Sequence, residues 1–187
     1  QTCALPIWMI FQNEPLPVIR RALSSGIPEA IAALEKLVED GEKEGGVHLG
    51  LVSGVPGSGK TLTDLSLVHS TSKGERRSTF LSGNGPLVTV LQDALQSKVF
   101  VRDLHKYVKT YGLTSKQPSE HVVVFDEAQR MWDKTMMKEK HGAEKSEPDL
   151  LIAIAERLER WGVFVGLIGD GQEIHAGEEG EIGRAHV

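Results

Sequence analysis

The stretch Gly54-Val55-Pro56-Gly57-Ser58-Gly59-Lys60-Thr61 fits G-x-x-x-x-G-K-[ST], the pattern of a loop that cradles phosphates. Glycines let the backbone wrap an anion with no Cβ in the way. Successive N–H groups and the N-terminus of a following helix then point at the negative charge. In that arrangement Lys60 reaches the outer phosphates and the Thr61 hydroxyl ligates Mg²⁺. The expected nucleotide contacts are Gly54, Pro56, Gly57, Ser58, Gly59, Lys60, Thr61 and Leu62. A second chemical pair, Asp126-Glu127, ends the run Val122-Val123-Val124-Phe125. Two carboxylates at the carboxyl end of a buried strand, downstream of a phosphate loop, form a Walker B motif. Asp126 then holds Mg²⁺, directly or through water, and Glu127 orients and polarises an attacking water. The cofactors expected from these two motifs are ATP and Mg²⁺.

The elements that must place these groups are legible as strands alternating with helices. Val47 to Ser53 reads as the first core strand and Leu62 to Ser70 as the helix after the loop. Upstream, Gly26 to Gly46 holds a helix with Ile31, Leu34, Leu37 and Val38 as its buried stripe. Ser78 to Ser82 is a short strand, Gly83-Asn84-Gly85-Pro86 a loop, and Leu87 to Leu95 a helix. Ser97 to Tyr111 is read as one further helix with Val101, Leu104, Val108 and Tyr111 inward. Lys98, Arg102, Lys106 and Lys109 would then form a basic stripe, either a solvated face or a phosphate-backbone contact. Arg130 to Lys145 reads as a helix start followed by a polar, mobile excursion. Ser146-Glu147-Pro148-Asp149 opens a helix with Pro148 near its first position. Leu150, Leu151, Ile154, Ala155 and Leu158 line that helix, Gly162 stops it, and Val163 to Ile168 is another buried strand. The histidines at 48, 69, 105, 121, 141 and 175 have no partner at metal-ligand spacing and read as ordinary surface or packing residues.

Composition narrows the class. The chain has 187 residues, 40% hydrophobic and 25% charged, enough for one domain with a core. A net charge of −5 gives no global basic field, so any nucleic-acid site must be a local patch. No apolar run reaches the length of a membrane span and no secretory signal is visible, so the expected location is cytoplasmic with no membrane partner. Residues 1–7 and 182–187 can be encoded by one DNA sequence read from opposite strands, and that sequence resembles a sequencing-library adapter. Both stretches are set aside as artefact, with Cys3 among them. The expected organisation is an irregular segment and helix over 8–46, then one nucleotide-binding domain over 47–181, continuing past both ends in the natural protein.

Four strands each deliver a polar motif at their carboxyl ends, in an order that resembles motifs I, Ia, II and III of superfamily 1 helicases. Phe80-Leu81-Ser82-Gly83-Asn84-Gly85-Pro86-Leu87-Val88, Val124-Phe125-Asp126-Glu127-Ala128-Gln129-Arg130, Ser146-Glu147-Pro148 and Ile168-Gly169-Asp170-Gly171-Gln172-Glu173-Ile174 resemble one family more closely. That family is the Schlafen-group DNA/RNA helicase domain, and the resemblance runs from about Val47 to Gly180. It implies catalytic roles for Lys60, Glu127 and Gln172, with Gln172 sensing the outer phosphate. It places Gln129 and Arg130 between the nucleotide and the strand-binding face, and Asn84 and Gly85 at the nucleic-acid backbone. Lys98 and Arg102 join Asn84, Gly85 and Arg130 as nucleic-acid candidates. The broader superfamily pattern is Gly-Asp-x-x-Gln; here Gln172 comes one residue early.

The expected fold is α/β: a three-layer RecA-like P-loop NTPase with a parallel sheet and helices on both faces. By the resemblance, the strand order is P-loop, motif III, Walker B, motif Ia. That leaves an apolar P-loop strand at an edge, so the isolated chain is expected to be poorly soluble. The leading functional reading is the ATP-hydrolysing first motor domain of a helicase or translocase. Its expected partner is single-stranded DNA or RNA, its only metal is Mg²⁺, and its oligomeric state is open. Without a second motor domain, nucleotide binding with little turnover is expected. A nucleotide-gated nucleic-acid switch and a small-molecule P-loop kinase are the competing readings; a glutamate beside Asp126 suits water activation better than the kinase.

Overall fold

A computed structural model describes residues 27–54, 60–72 and 76–169. Helix α1 (Ile27–Glu44) precedes strand β1 (Gly46–Gly54). Helix α2 (Lys60–Thr71), strand β2 (Ser78–Ser82) and helix α3 (Gly85–Ala94) follow. Next come strand β3 (Val101–Asp103), helix α4 (Leu104–Gly112) and strand β4 (Val122–Asp126). A 3-10 turn (Ala128–Arg130), helix α5 (Lys134–His141), helix α6 (Glu147–Ala155) and strand β5 (Trp161–Gly169) complete the described fold.

The five strands form one parallel sheet in the order β1-β5-β4-β2-β3. A parallel sheet must be covered on both faces, and its inner strands read as continuous apolar runs. Successive side chains alternate between the two covers. Phe80, Val122, Val124, Val163, Val165 and Leu167 pack with Leu34 and Val38 of α1, Leu65 and Val68 of α2, and Val88 and Leu91 of α3. Leu81, Val123, Phe125 and Phe164 face the other way, onto Leu104 and Val108 of α4 and Leu150, Leu151 and Ile154 of α6. The domain is therefore three layers, with α1 to α3 on one side and α4 to α6 on the other. Among the described residues no helix is long and apolar enough to cross a membrane.

Three readings of the sequence are corrected. Ser97 to Tyr111 is not one helix: Val101–Asp103 is the edge strand β3, and only Leu104–Gly112 is helical. Tertiary pairing overrides the helical spacing, because the Phe80 N–H donates to Phe100 O at 2.8 Å and β3 lies in register with Phe80 to Ser82. Asp103 then caps α4 by accepting from the Lys106 N–H. Residues 130–145 are not an excursion but an ordered turn and helix, capped by Asp133 and ended by Gly142 in the left-handed region, with Met131 and Met137 buried. Gly162 does not stop α6, which ends at Ala155; it is the second residue of β5.

The outer strand β1 shows the alternation of an edge. Val47, Leu49 and Leu51 are about half exposed and look across an apolar groove of about 350 Å³ toward Ile152 of α6. Gly166, in contrast, is a glycine by necessity. A Cβ there would stand 2.6 Å from Cε2 of Phe125, the residue before Asp126. Gly166→Val is expected to lower the free energy of unfolding by about 1–3 kcal/mol through overpacking, read as a lower urea midpoint.

Candidate functional site

In a parallel α/β sheet, ligands bind outside the carboxyl ends of the strands. Here those ends form one rim. Gly54 lies opposite Gly169 across the β1–β5 pair, and Ser82 lies opposite both Asp126 and Asp103. With β5 beside β4, the rim carries Gly54, Gly169, Asp126, Ser82 and Asp103 in spatial order. The end of β1 is thus separated only by β5 from the acid-tipped strand β4.

Asp126 is 7% exposed, and its Oδ1 accepts the Glu127 N–H at 2.9 Å. The next residue turns sharply. Glu127 has φ 52° and ψ 52°, a left-handed conformation that glycine or asparagine adopts more readily. Strained backbone of this kind clusters at functional sites. It starts the 3-10 turn, in which Arg130 N–H donates back to Glu127 O at 2.8 Å. The Arg130 guanidinium Nε also lies 2.8 Å from Glu127 Oε2, so the carboxylate and its cation sit on one face of the turn. Gln129 is buried, and its Oε1 accepts the Gly169 N–H at 3.2 Å. That bond ties the turn after β4 to the end of β5.

On the far side of the rim, Asn84 caps α3. Its Oδ1 accepts the Leu87 N–H at 3.3 Å, and its own N–H donates to Ser82 Oγ at 3.2 Å. The Asn84 carbonyl is therefore engaged by the helix, and the accessible feature is the α3 N-terminus at Gly85 and Pro86. A polar groove of about 640 Å³ runs from there over β3 to α4, lined by Gly85, Thr89, Gln92, Arg102 and Lys106. The Gln92 amide donates to Val101 O at 2.8 Å, so the outer edge of β3 has its carbonyl satisfied from within.

The basic stripe expected from sequence does not exist as one face. Lys98 is exposed on the turn before β3, whereas Arg102 belongs to β3 itself. Arg102 pairs with Glu120 at 2.8 Å, donates to the Tyr111 hydroxyl at 3.3 Å and lies over the Tyr107 and Tyr111 rings. It is a packed cation, whereas Lys98, Lys106 and Lys109 are exposed. Burial pushes the Tyr107 phenol far up from its ordinary range, with the Glu120 carboxylate adding to the effect.

Of the other expected site residues, Lys60, Thr61 and Leu62 form the first turn of α2. Pro56, Gly57, Ser58, Gly59 and Gln172 lie outside the described residues. Sequence reasoning missed His105, Trp132 and Glu147. They come together beside the turn after β4, with the His105 ring stacked on Trp132 and bonded to the Glu147 carboxylate. The signal was present only as Ser146-Glu147-Pro148, which reads as a helix start and says nothing about burial.

A parallel sheet with helices on both faces, a glycine-rich sequence following β1 and an acidic pair at the end of β4 define a RecA-like α/β domain. The chain belongs to the family described as Schlafen group 3, DNA/RNA helicase domain, which matches residues 48–186. Comparison with curated proteins gave no match.

Proposed function

We propose that this domain binds Mg²⁺–ATP at the sheet rim and serves as the first motor domain of a nucleic-acid helicase or translocase. The observation that carries the reading is the convergence at one rim of Gly54, Asp126 and Glu127 with the α3 N-terminus, which follows β2, the strand adjacent to β4. The donor set suits the metal: a carboxylate from Asp126 and a hydroxyl from Thr61 are hard oxygen ligands of the type Mg²⁺ takes. Mg²⁺, when bound, neutralises charge on the phosphate oxygens. Lys60 and the loop amides hold the outer phosphates. Glu127, just past the end of β4 with Arg130 beside its carboxylate, orients the attacking water and takes its proton. Gln172 senses the outer phosphate.

The strand partner belongs along the α3 N-terminus and the groove over β3. Backbone amides at Gly85 and the ammonium of Lys106 offer contacts to phosphate with no base-reading element, so binding without sequence preference is expected. The polymer is single-stranded DNA or RNA.

The test is equilibrium binding of Mg²⁺–ATP to the chain beside Lys60→Ala, with circular dichroism on both. Saturable binding is expected, weakened about tenfold or more in the variant, since a hydrogen bond to a charged group contributes about 1.5–3 kcal/mol. Equal binding by two folded proteins would remove the phosphate-loop assignment.

A further inference from the structure

Glu147 is 1% exposed and yet carries a carboxylate, at a position where the helix does not need one. Ser146 already caps α6 through the Asp149 N–H, Asp149 returns the bond to the Ser146 N–H, and Pro148 sets the first turn. An apolar residue at 147 would start α6 equally well, and burying an ionised carboxylate is costly unless both oxygens find partners. Both partners come from other segments. Oε1 lies 2.8 Å from His105 Nδ1 at the start of α4. Oε2 accepts the Trp132 N–H at 2.8 Å, and the Glu147 N–H donates to Trp132 O at 2.9 Å. The Trp132 backbone is thus held on both sides by one residue.

The two partners are themselves joined. The imidazole of His105 stacks on the Trp132 indole at 3.9 Å with 15° between planes. Its Nε2 lies against Gly83, where a Cβ would stand 3.4 Å away. Trp132 follows Met131 directly after the turn that carries Glu127 and Arg130, and Gly83 directly precedes the Asn84 cap of α3. A continuous packed path therefore runs from the Glu127 turn through Trp132 and His105 to the Gly83–Asn84 loop, and Glu147 brackets it.

We propose that Glu147 is a positioning residue that couples the two ends of the rim, so that a strand on the Asn84 loop and a nucleotide beside Glu127 alter each other's affinity. This rests on the nucleotide and nucleic-acid reading given above. The path is contiguous but coupling is a thermodynamic property, so it must be measured as one. Linkage requires the same factor in both directions.

The experiment measures binding of Mg²⁺ with a slowly hydrolysed ATP analogue to the 187-residue chain. It is run with and without saturating oligothymidylate or oligouridylate, for wild type, Glu147→Gln and Trp132→Leu. Glu147→Gln keeps the size and the acceptor for the Trp132 N–H but removes the charge facing His105. Trp132→Leu removes the stack and keeps the backbone bonds, so it serves if the first variant misfolds. Wild type is expected to show a coupling factor of about 5–150. In the variants it should fall to within about twofold of unity, with each single-ligand affinity within about threefold of wild type. An unchanged factor in either folded variant overturns the proposal alone. A parallel loss of both single affinities also overturns it, because Glu147 would then only hold the fold. Absence of coupling in wild type, with each ligand bound, overturns it while leaving the two binding assignments standing. Absence of nucleotide or strand binding in wild type removes the underlying reading as well.

Discussion

Glu127→Gln is expected to lower ATP hydrolysis about 10²–10⁴-fold while leaving Mg²⁺–ATP affinity within about threefold. The amide preserves size and keeps an oxygen beside Arg130, but it cannot take a proton from water. In the proposed reading the ground-state contacts to phosphate come from Lys60, Thr61 and the glycine-rich stretch before them, so the loss is expected on turnover rather than on binding. The left-handed backbone at Glu127 sharpens the prediction. A glutamate there is strained by about 1–2 kcal/mol relative to glycine, so its retention calls for a reason in the side chain. Glu127→Gln keeps the strained backbone and removes only the base. Steady-state hydrolysis with a separate nucleotide-binding titration decides the matter: a parallel loss of affinity and rate would make Glu127 a structural member of the Arg130 pair rather than a base.

The parts of this domain that sequence displays are those whose meaning is local. The run Val122 to Phe125 announces a strand covered on both faces because every residue in it is β-branched or aromatic, and all four are buried. Asp126-Glu127 was legible because the chain ends that strand with two acids, and Ser146 to Asp149 because capping chemistry is written in consecutive residues. What stayed hidden depends on contacts between distant segments. Three residues of β3 sit in a stretch with helical spacing, and only the bond from Phe80 to Phe100 and the register with β2 make them a strand. Arg102 looked like one member of a basic stripe until Glu120, Tyr107 and Tyr111 closed around it. Glu147 read only as part of the stretch that opens a helix, and its burial is set by two segments that the sequence places well apart from it. The edge place of Val47, Leu49 and Leu51, by contrast, was implied by the family resemblance, and there they are about half exposed. Candidate chemistry was therefore readable before the environment that holds it.

The environment itself is tested most severely at Phe80. Its ring is fully buried in the cluster that joins α1, α2 and α3 to the sheet, and its backbone pairs with Val124 on one side and Val101 on the other. Phe80→Ala is expected to reduce the free energy of unfolding by about 3–5 kcal/mol, measured by urea denaturation at constant m. Against a typical domain stability of about 5–15 kcal/mol, that is about a fifth of the total or more. The cavity cannot collapse easily, because strands β4 and β3 fix the backbone on both sides and the helices above are spaced by Val88, Leu91 and Val101. A volume-sparing Phe80→Leu should lose less than half as much. The comparison also separates scaffold from site: two residues further on, Ser82 Oγ accepts the Asn84 N–H, so the cap of α3 rests on polar bonds that the ring does not make. In the folded fraction of Phe80→Ala, strand binding at that cap should therefore survive. Loss of strand binding without loss of stability would mean that Phe80 shapes the rim directly, and that the α3 N-terminus is placed by core packing rather than by its own hydrogen bonds.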